Sequence, residues 1–247
     1  MLKVENVETY GWEAAIRGMR NPMNSWDKSD SCYSIDKLDK NYTLINKTDD
    51  GLFNFYIGPN DQKLMLDLCK GGPVHAKFRR MLTITMDITA PLYWWKEFDT
   101  YKVGTVANSC STMHKIHAKE FELSDFSFEH FDDLDDPNTL LFEDDKYFKI
   151  DSKWLADVTI NMLNKARKLF LETKDKKYWW QMIQLLPSSY NQKRTVQLNY
   201  EVAHNIYLSR KDHKLDEWHT LCNVFKELPY GELITEEWRD QNDERDI

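Results

Sequence analysis

The alternating stretch LTITMDIT, residues 82–89, constrains the fold more than any other feature of this sequence. Apolar and polar residues take turns along it without a break: Leu82, Ile84, Met86 and Ile88 against Thr83, Thr85, Asp87 and Thr89. Successive side chains of a strand point to opposite faces of the sheet. The stretch therefore predicts a strand, ended by Pro91, with one buried and one polar face. Other elements of the chain must cover the buried face.

Helical periodicity dominates the second half of the chain. Before the strand, residues 11–19 and 59–70 predict two short helices, and Gly71-Gly72-Pro73 ends the second. After it, helices are predicted from Asp151 onward, with a second helix over residues 174–186, and then over residues 198–210 and 215–228. In the first of these, the apolar residues that form one stripe are Leu155, Val158, Met162, Ala166 and Leu169. Strands early and helices late indicate one α+β domain over residues 1–235.

Two segments are predicted to lack regular structure. The acidic stretch FELSDFSFEHFDDLDDPNTLLFEDD contains Pro137 and follows Glu120. Its charge and its proline indicate an irregular excursion or lid at about residues 120–150. The last residues, 236–247, are polar and charged apart from Trp238 and Ile247, and we expect a solvated tail there.

Composition excludes several classes of protein. The 247-residue chain has a formal net charge of -8 and a pI near 5.4, so no overall charge attracts nucleic acid or an anionic membrane. No segment approaches the roughly 20 apolar residues that span a bilayer. The start of the chain lacks the apolar run of a signal peptide, and four cysteines are widely scattered: Cys32, Cys69, Cys110 and Cys222. We therefore expect a reduced, cytoplasmic protein.

Common cofactor and metal motifs are missing from the sequence. It contains neither G-x-G-x-x-G nor G-x-x-x-x-G-K, which argues against a Rossmann or P-loop enzyme. His114 and His117 are three residues apart, but no H-E-x-x-H occurs, and no metal site is predicted. Cys110 lies among small polar residues, where a cysteine is more often packed than catalytic.

The predicted helix LNYEVAHNIYLSR, residues 198–210, allows two interpretations. In the first, an ordinary amphipathic helix packs its apolar residues on a core and turns its polar residues to water; those apolar residues are Val202, Ala203, Ile206 and Leu208. In the second, its polar side chains face a ligand. Asn199 and Arg210 are eleven positions apart and fall at nearly the same azimuth, whereas Asn205 lies off that line.

Three segments, in this order, resemble the flavin-dependent thymidylate synthase family. They read VHAKFRRMLTITMDITAP, then WWKEFDTYKVGTVANSCSTMH, then LNYEVAHNIYLSR. The family pattern has a G-H, an alternating strand that ends near A-P, an R-H-R, an N-x-x-S-x-R-Y and a late helix with two asparagines and an arginine. The resemblance implies that family's α+β fold, with a mixed sheet early and a helical second half.

The resemblance also implies roles for individual residues. Arg210 matches the arginine that holds and polarises the pyrimidine, and His75 matches the active-site histidine, which positions the flavin or a water. Asn108 and Ser111 match the asparagine and serine at the nucleotide phosphate. The family's flavin and nucleotide pockets are matched by Asn199 and Asn205, and Lys102 keeps a cation for the flavin and the phosphate.

The departures from the family pattern remove positive charge. The R-H-R falls on Thr100, Tyr101 and Lys102, with one residue inserted before Asn108, and the phosphate-gripping arginine falls on Met113. Each lost charge-assisted hydrogen bond is worth about 1.5–3 kcal/mol. Three other cations are candidates to replace these groups: Arg79, Arg80 and Lys115.

By this resemblance, the chain is a thymidylate synthase-like protein that binds a pyrimidine nucleotide such as dUMP. Reduced FAD would donate a hydride, and a one-carbon unit or hydride would move to the pyrimidine ring. Family members assemble commonly as homotetramers with sites between subunits, and the same assembly is expected here. Two alternatives stay open: a module that binds or sequesters a nucleotide without flavin, and a protein whose tryptophan-rich surface and acidic excursion bind another macromolecule.

Overall fold

The computed structural model of the protein describes residues 2–36, 38–47, 54–131, 140–143, 146–149 and 152–238. Its strands are β1 (Lys3–Tyr10), β2 (Cys32–Ser34), β3 (Thr43–Lys47), β4 (Asn54–Ile57), β5 (Thr83–Pro91), β6 (Val106–Ser109), β7 (Leu140–Glu143), β8 (Lys146–Lys149) and β9 (Asn191–Asn199). Its α-helices are α1 (Trp12–Arg20), α2 (Pro59–Lys70), α3 (Leu92–Phe98), α4 (Thr112–Lys115), α5 (Ser152–Thr173), α6 (Lys176–Leu185), α7 (Tyr200–Arg210), α8 (Asp216–Glu227) and α9 (Glu232–Thr235). The predicted α+β class is confirmed.

The strands form three sheets. A four-stranded sheet has the order β1-β5-β9-β6, a three-stranded sheet has the order β2-β4-β3, and β7 and β8 form an antiparallel pair. Contacts group the described residues into two compact units. The first lies within residues 1–3, 87–100 and 108–195, and the second within residues 4–86, 101–107 and 196–247. The single domain expected over residues 1–235 stays a prediction.

The alternating stretch that forms β5 has one buried and one partly exposed face, as predicted. The apolar residues of the stretch are at most 1% exposed: Leu82, Ile84, Met86 and Ile88. Its threonines and Asp87 are only half-buried. One face of this strand therefore faces a core, as expected from period two.

The buried side of α5 differs from the predicted stripe. Ala156, Leu163 and Ala166 are buried, whereas Leu155 is 55% and Met162 is 47% exposed. Leu163 and Ala166 belong to a cluster in which the other buried members are Ile116, Phe121, Phe126 and Met182. The stripe was therefore wrong for Leu155 and Met162, because the neighbouring aromatic residues pack on the alanine side of the helix.

The acidic stretch is more ordered than predicted. Phe121 and Phe126 are each 5% exposed and pack against α5, so the start of the stretch is anchored in the core. Farther along, β7 and β8 pair with Leu141 opposite Phe148. The prediction of an irregular excursion was therefore wrong for residues 140–143 and 146–149. Apolar and aromatic residues favour strands strongly enough to outweigh the nearby charges. Residues 132–139, with Pro137, lie outside the described residues.

All four cysteines are free. Cys32 and Cys110 are exposed, whereas Cys69 and Cys222 are buried. Burial raises the pKa of the Cys69 thiol and that of the Cys222 thiol to about 11 each. In the described part of the chain, no helix has the length and the apolar character needed to cross a membrane.

Candidate functional site

Helix α7 carries two of the predicted site residues, Asn205 and Arg210, and a third, Asn199, lies at its start. The Oδ1 atom of Asn199 accepts a hydrogen bond of 3.0 Å from the backbone N–H of Val202 and caps the helix. The N–H of Tyr200 donates to the carbonyl of Leu82 at 3.0 Å. The predicted helix over 198–210 was therefore two residues too long, because Leu198 and Asn199 end β9. An asparagine cap of this kind contributes about 1 kcal/mol.

The buried side of α7 differs from that of the first interpretation of this helix and also includes Tyr200, His204 and Tyr207. Ala203 and Ile206 are fully buried, whereas Leu208 is 51% exposed. The expected packing of Leu208 on the core was therefore wrong. Asn205 and Lys102 are both exposed.

Arg210, in the last turn of α7, is held by two aromatic residues. Its Nε–H donates a 2.9 Å hydrogen bond to the hydroxyl of Tyr101. Its guanidinium carbon lies 4.7 Å from the ring centroid of Trp218, a fully buried residue of α8. The rings of Tyr101 and Trp218 meet edge to face at 6.0 Å. We call these three residues the Arg210 cluster; its two aromatic side chains restrain the position of the guanidinium.

The segment after Tyr101 runs toward the other end of α7. Gly104 has a φ of +79°, a conformation that favours glycine. A Cβ at this position would lie 3.0 Å from Cγ2 of Val202 and 3.3 Å from Nδ2 of Asn199. The turn that contains Lys102 therefore lies beside the Asn199 end of the helix, whereas Tyr101 contacts its Arg210 end.

His75 is exposed and precedes the 3-10 helix Ala76–Arg80. A Cβ at Gly71 would lie 3.2 Å from Cδ2 of His75, so the imidazole lies directly against this glycine. The N–H of His75 donates to the carbonyl of Gly72 at 3.0 Å. Gly71 thus gives the imidazole a close backbone neighbour, and Gly72 holds the backbone of His75.

His75 and Arg210 belong to regions that meet different ends of α7. Arg79, four residues after His75, comes within 4.0 Å of Glu201 in the first turn of the helix. Arg210 follows Glu201 by nine residues, which is about 13 Å along a helix axis. The resemblance implies that both residues serve one active site, and this shared site stays a prediction.

Arg79 cannot replace a lost phosphate-binding arginine, because it is buried among acidic partners. Only 1% of its side chain is exposed, and its Nη2 lies 2.8 Å from Oε1 of Glu236. His204 lies 3.7 Å from the same oxygen through Nε2, and its Nδ1 is 2.7 Å from the carbonyl of Ile234. Of the three candidate cations, the exposed ones are Arg80 and Lys115.

Asn108 and Ser111 lie in the first unit, at the end of β6 and just after it. Both are exposed, and Ser111 Oγ accepts a 3.1 Å hydrogen bond from the N–H of His114, which caps α4. Between them, the N–H of Cys110 donates to the carbonyl of Lys193 at 2.9 Å, and Gln192 Nε2 donates to the carbonyl of Cys110 at 2.9 Å. Strand β9 thus fixes the backbone that carries the predicted phosphate residues.

Tyr101 and Trp218 were not predicted as site residues. The sequence offered one signal for Tyr101, since it occupies the central position of the altered R-H-R. Trp218 offered none, because a tryptophan on the apolar side of a helix is ordinarily a core residue.

The chain has the fold of the flavin-dependent thymidylate synthases, as predicted. ThyX from Helicobacter pylori, in a structure with FAD and dUMP, matches with a TM-score of 0.60 and 17% identity over 96% of this chain and 98% of that one. A second structure of the same enzyme with FAD and dUMP has a TM-score of 0.59 and 18% identity, and covers 95% of this chain and 100% of that one.

A third similar structure is the UMP/dUMP methylase PolB from Streptomyces cacaoi bound with 5-Br UMP. It has a TM-score of 0.52 and 12% identity, and the match covers 92% of this chain and 87% of that one. No protein-family model matches the sequence, and no curated protein matches it. At these identities the likeness establishes the fold alone.

Proposed function

We propose that the chain binds a pyrimidine nucleotide of the dUMP type, with Arg210 at the pyrimidine ring. The observation that carries this proposal is the Arg210 cluster, a guanidinium held by Tyr101 and Trp218 in a fold whose solved relatives bind dUMP. A guanidinium presents several N–H donors in one plane and suits the carbonyl of a planar heterocycle. Asn205 and Lys102 would contact the nucleotide, and Asn108 and Ser111 would bind its phosphate.

The proposed reaction moves a one-carbon unit or a hydride to the pyrimidine ring. A hydrogen bond from Arg210 to a ring carbonyl stabilises the negative charge that develops on the oxygen during such an addition. FAD, if bound in its reduced form, would supply the hydride. Its supporting residues would be Lys102, Asn199 and His75. Two observations favour FAD binding by these residues. The turn that contains Lys102 lies beside Asn199, and the imidazole of His75 is exposed.

A second candidate function is nucleotide binding without flavin. It is favoured by Tyr101, which stands in the altered R-H-R and whose hydroxyl is already hydrogen-bonded to Arg210. It is also favoured by Thr100 and Met113, where the family has guanidinium groups. Mass spectrometry of the small molecule released by denaturing the purified protein separates the two: a flavin supports the first candidate, and a nucleotide alone supports the second.

Replacing Arg210 with alanine is expected to abolish stabilisation by dUMP. A ligand at 100 times its dissociation constant stabilises the folded protein by about 2.7 kcal/mol. Differential scanning fluorimetry with and without dUMP measures this effect. The exposed Arg17→Ala variant in α1 serves as a control and should keep the full response.

An unchanged dUMP response in Arg210→Ala would place the nucleotide elsewhere. A wild-type protein that responds to neither dUMP nor FAD would instead favour the third interpretation, a protein that binds another macromolecule.

We also propose that the chain forms a homotetramer and acts in the cytoplasm, where its four thiols stay reduced. The exposed apolar residues of α5 support the assembly: Trp154 is 43%, Leu155 is 55% and Met162 is 47% exposed. With a chain mass of 29.5 kDa, light scattering should give about four times that value. The Leu155→Glu/Met162→Glu variant should give a smaller mass, and an unchanged tetramer would place the contacts on another surface.

A further inference from the structure

We propose that Tyr101 is a positioning residue, which orients the guanidinium of Arg210 for the nucleotide. This inference rests on the proposed function and adds to it a residue that differs from the family pattern. Tyr101 does not need to touch the nucleotide in this role. It acts through its hydroxyl, which accepts the Nε–H of Arg210 at 2.9 Å.

The contacts of Arg210 restrain its guanidinium in two independent directions. The hydrogen bond to Tyr101 lies along the Nε–H bond and therefore fixes a direction within the guanidinium plane. Trp218 lies under the group, with 4.7 Å between the guanidinium carbon and the ring centroid. This contact limits how far the guanidinium can move across the face of the ring. Together the two contacts limit the positions open to the guanidinium.

Orientation matters because an arginine side chain otherwise samples many rotamers. Bidentate or in-plane recognition of an oxygen requires the fork of N–H groups to be aimed correctly before the ligand arrives. A preorganised group binds more tightly because less freedom is lost on binding. The hydroxyl of Tyr101 is thus expected to contribute to nucleotide affinity through Arg210.

The two aromatic residues differ as targets for a test. Trp218 is fully buried, so its replacement would disturb the packing of α8. Tyr101 is only half-buried and lies outside regular secondary structure. Phenylalanine at this position keeps the ring that meets Trp218 edge to face and removes only the hydroxyl.

The test measures the dUMP dissociation constant by isothermal titration calorimetry in Tyr101→Phe and the wild type. We expect an increase of about tenfold in Tyr101→Phe, in line with one hydrogen bond to a charged group. The control is Tyr10→Phe, which removes an exposed tyrosine hydroxyl that is hydrogen-bonded to Glu8 at 2.6 Å. This variant should bind dUMP like the wild type.

If Tyr101 acts through Arg210, the effects of substituting the two residues on dUMP affinity should not be additive. Lysine has no Nε–H of this geometry, so Tyr101→Phe should cause no further loss of affinity when Arg210 is already lysine. An equal loss in the wild-type and Arg210→Lys backgrounds would show that Tyr101 acts on its own. A merely structural role of Tyr101 would lower the dUMP affinity equally in both backgrounds, so the difference between the two losses tests the role through Arg210.

The remaining outcomes separate the inference from the proposed function. Wild-type protein that binds dUMP, with an unchanged dissociation constant in Tyr101→Phe, overturns the role of Tyr101 alone. Wild-type protein that does not bind dUMP overturns the proposed function itself, and the positioning role with it.

Discussion

Replacing Arg79 with methionine is expected to lower the free energy of unfolding by about 3 kcal/mol. The side chain is 1% exposed, and its carboxylate partners are Glu236 at 2.8 Å and Glu201 at 4.0 Å. Removing one partner of a buried ion pair leaves the other charge without compensation. We take the lower end of the usual range of about 3–5 kcal/mol because the side chain of Glu236 is 37% exposed and can turn to water.

Urea unfolding of Arg79→Met and Arg80→Met measures this difference. Arg80 belongs to the same 3-10 helix but is exposed, and its replacement should change stability by less than about 0.5 kcal/mol. The double variant Arg79→Met/Glu201→Gln should regain part of the loss, because the side chain of Glu201 is only 15% exposed. Equal midpoints for Arg79→Met and the wild type would refute the importance of this pair.

Replacing Asp61 with asparagine is expected to destabilise the protein by about 3–5 kcal/mol near neutral pH. Asp61 is fully buried in the first turn of α2, and its Oδ1 lies 2.6 Å from Nε of Arg20. Its Oδ2 accepts hydrogen bonds of 2.7 Å from the hydroxyls of both Ser29 and Ser31. Asparagine would leave the guanidinium of Arg20, which is 5% exposed, without a counter-charge.

The same residue predicts how stability depends on pH. Burial alone raises the pKa of Asp61, but hydrogen bonds from Ser31, Ser29 and Arg20 outweigh burial, so the pKa is lowered. A carboxyl with a lowered folded-state pKa stabilises the protein above its unfolded-state pKa of about 3.9 and loses that contribution as pH falls through the folded-state value. The stability gap between wild type and Asp61→Asn should therefore be full at pH 5–7 and narrow below about pH 4.

Urea unfolding between about pH 3 and pH 7 tests both statements on Asp61. The matched control is Asp67→Asn, an exposed aspartate on the same helix, which should follow the wild-type curve at every pH. A gap that keeps its full size at the acid end would mean that folding does not lower the pKa of Asp61.

The elements predicted well are those specified by local pattern. The alternation of β5 and the starts and stops of α1, α2 and α8 can be read from neighbouring residues alone. The stripe on α5 was wrong for Leu155 and Met162 because helical period fixes which residues share a face, whereas the neighbours decide which face is buried. In α7, the boundary was wrong because Asn199 caps the helix rather than lying inside it.

The candidate site was predictable only in part. A resemblance of short motifs drew attention to Arg210, but the residues that hold it were not evident. Tyr101 lies 109 residues earlier in the chain, and Trp218 lies on a separate helix. Contacts across such separations depend on tertiary packing, which residue spacing within one segment does not encode. The roles assigned to all seven site residues stay predictions: His75, Lys102, Asn108, Ser111, Asn199, Asn205 and Arg210.

The pairing of Arg79 with Glu236 also limits how early the second unit can finish folding during translation. The two residues are 157 positions apart. At about 5–20 residues per second, translation needs roughly 8–31 s to reach the glutamate after adding the arginine. Throughout that interval the nascent chain carries an arginine destined for the interior but lacks the closest carboxylate that will accompany it. Completion of the second unit must therefore wait until Glu236 has been synthesised, and a truncation before this residue would leave Arg79 without its closest carboxylate.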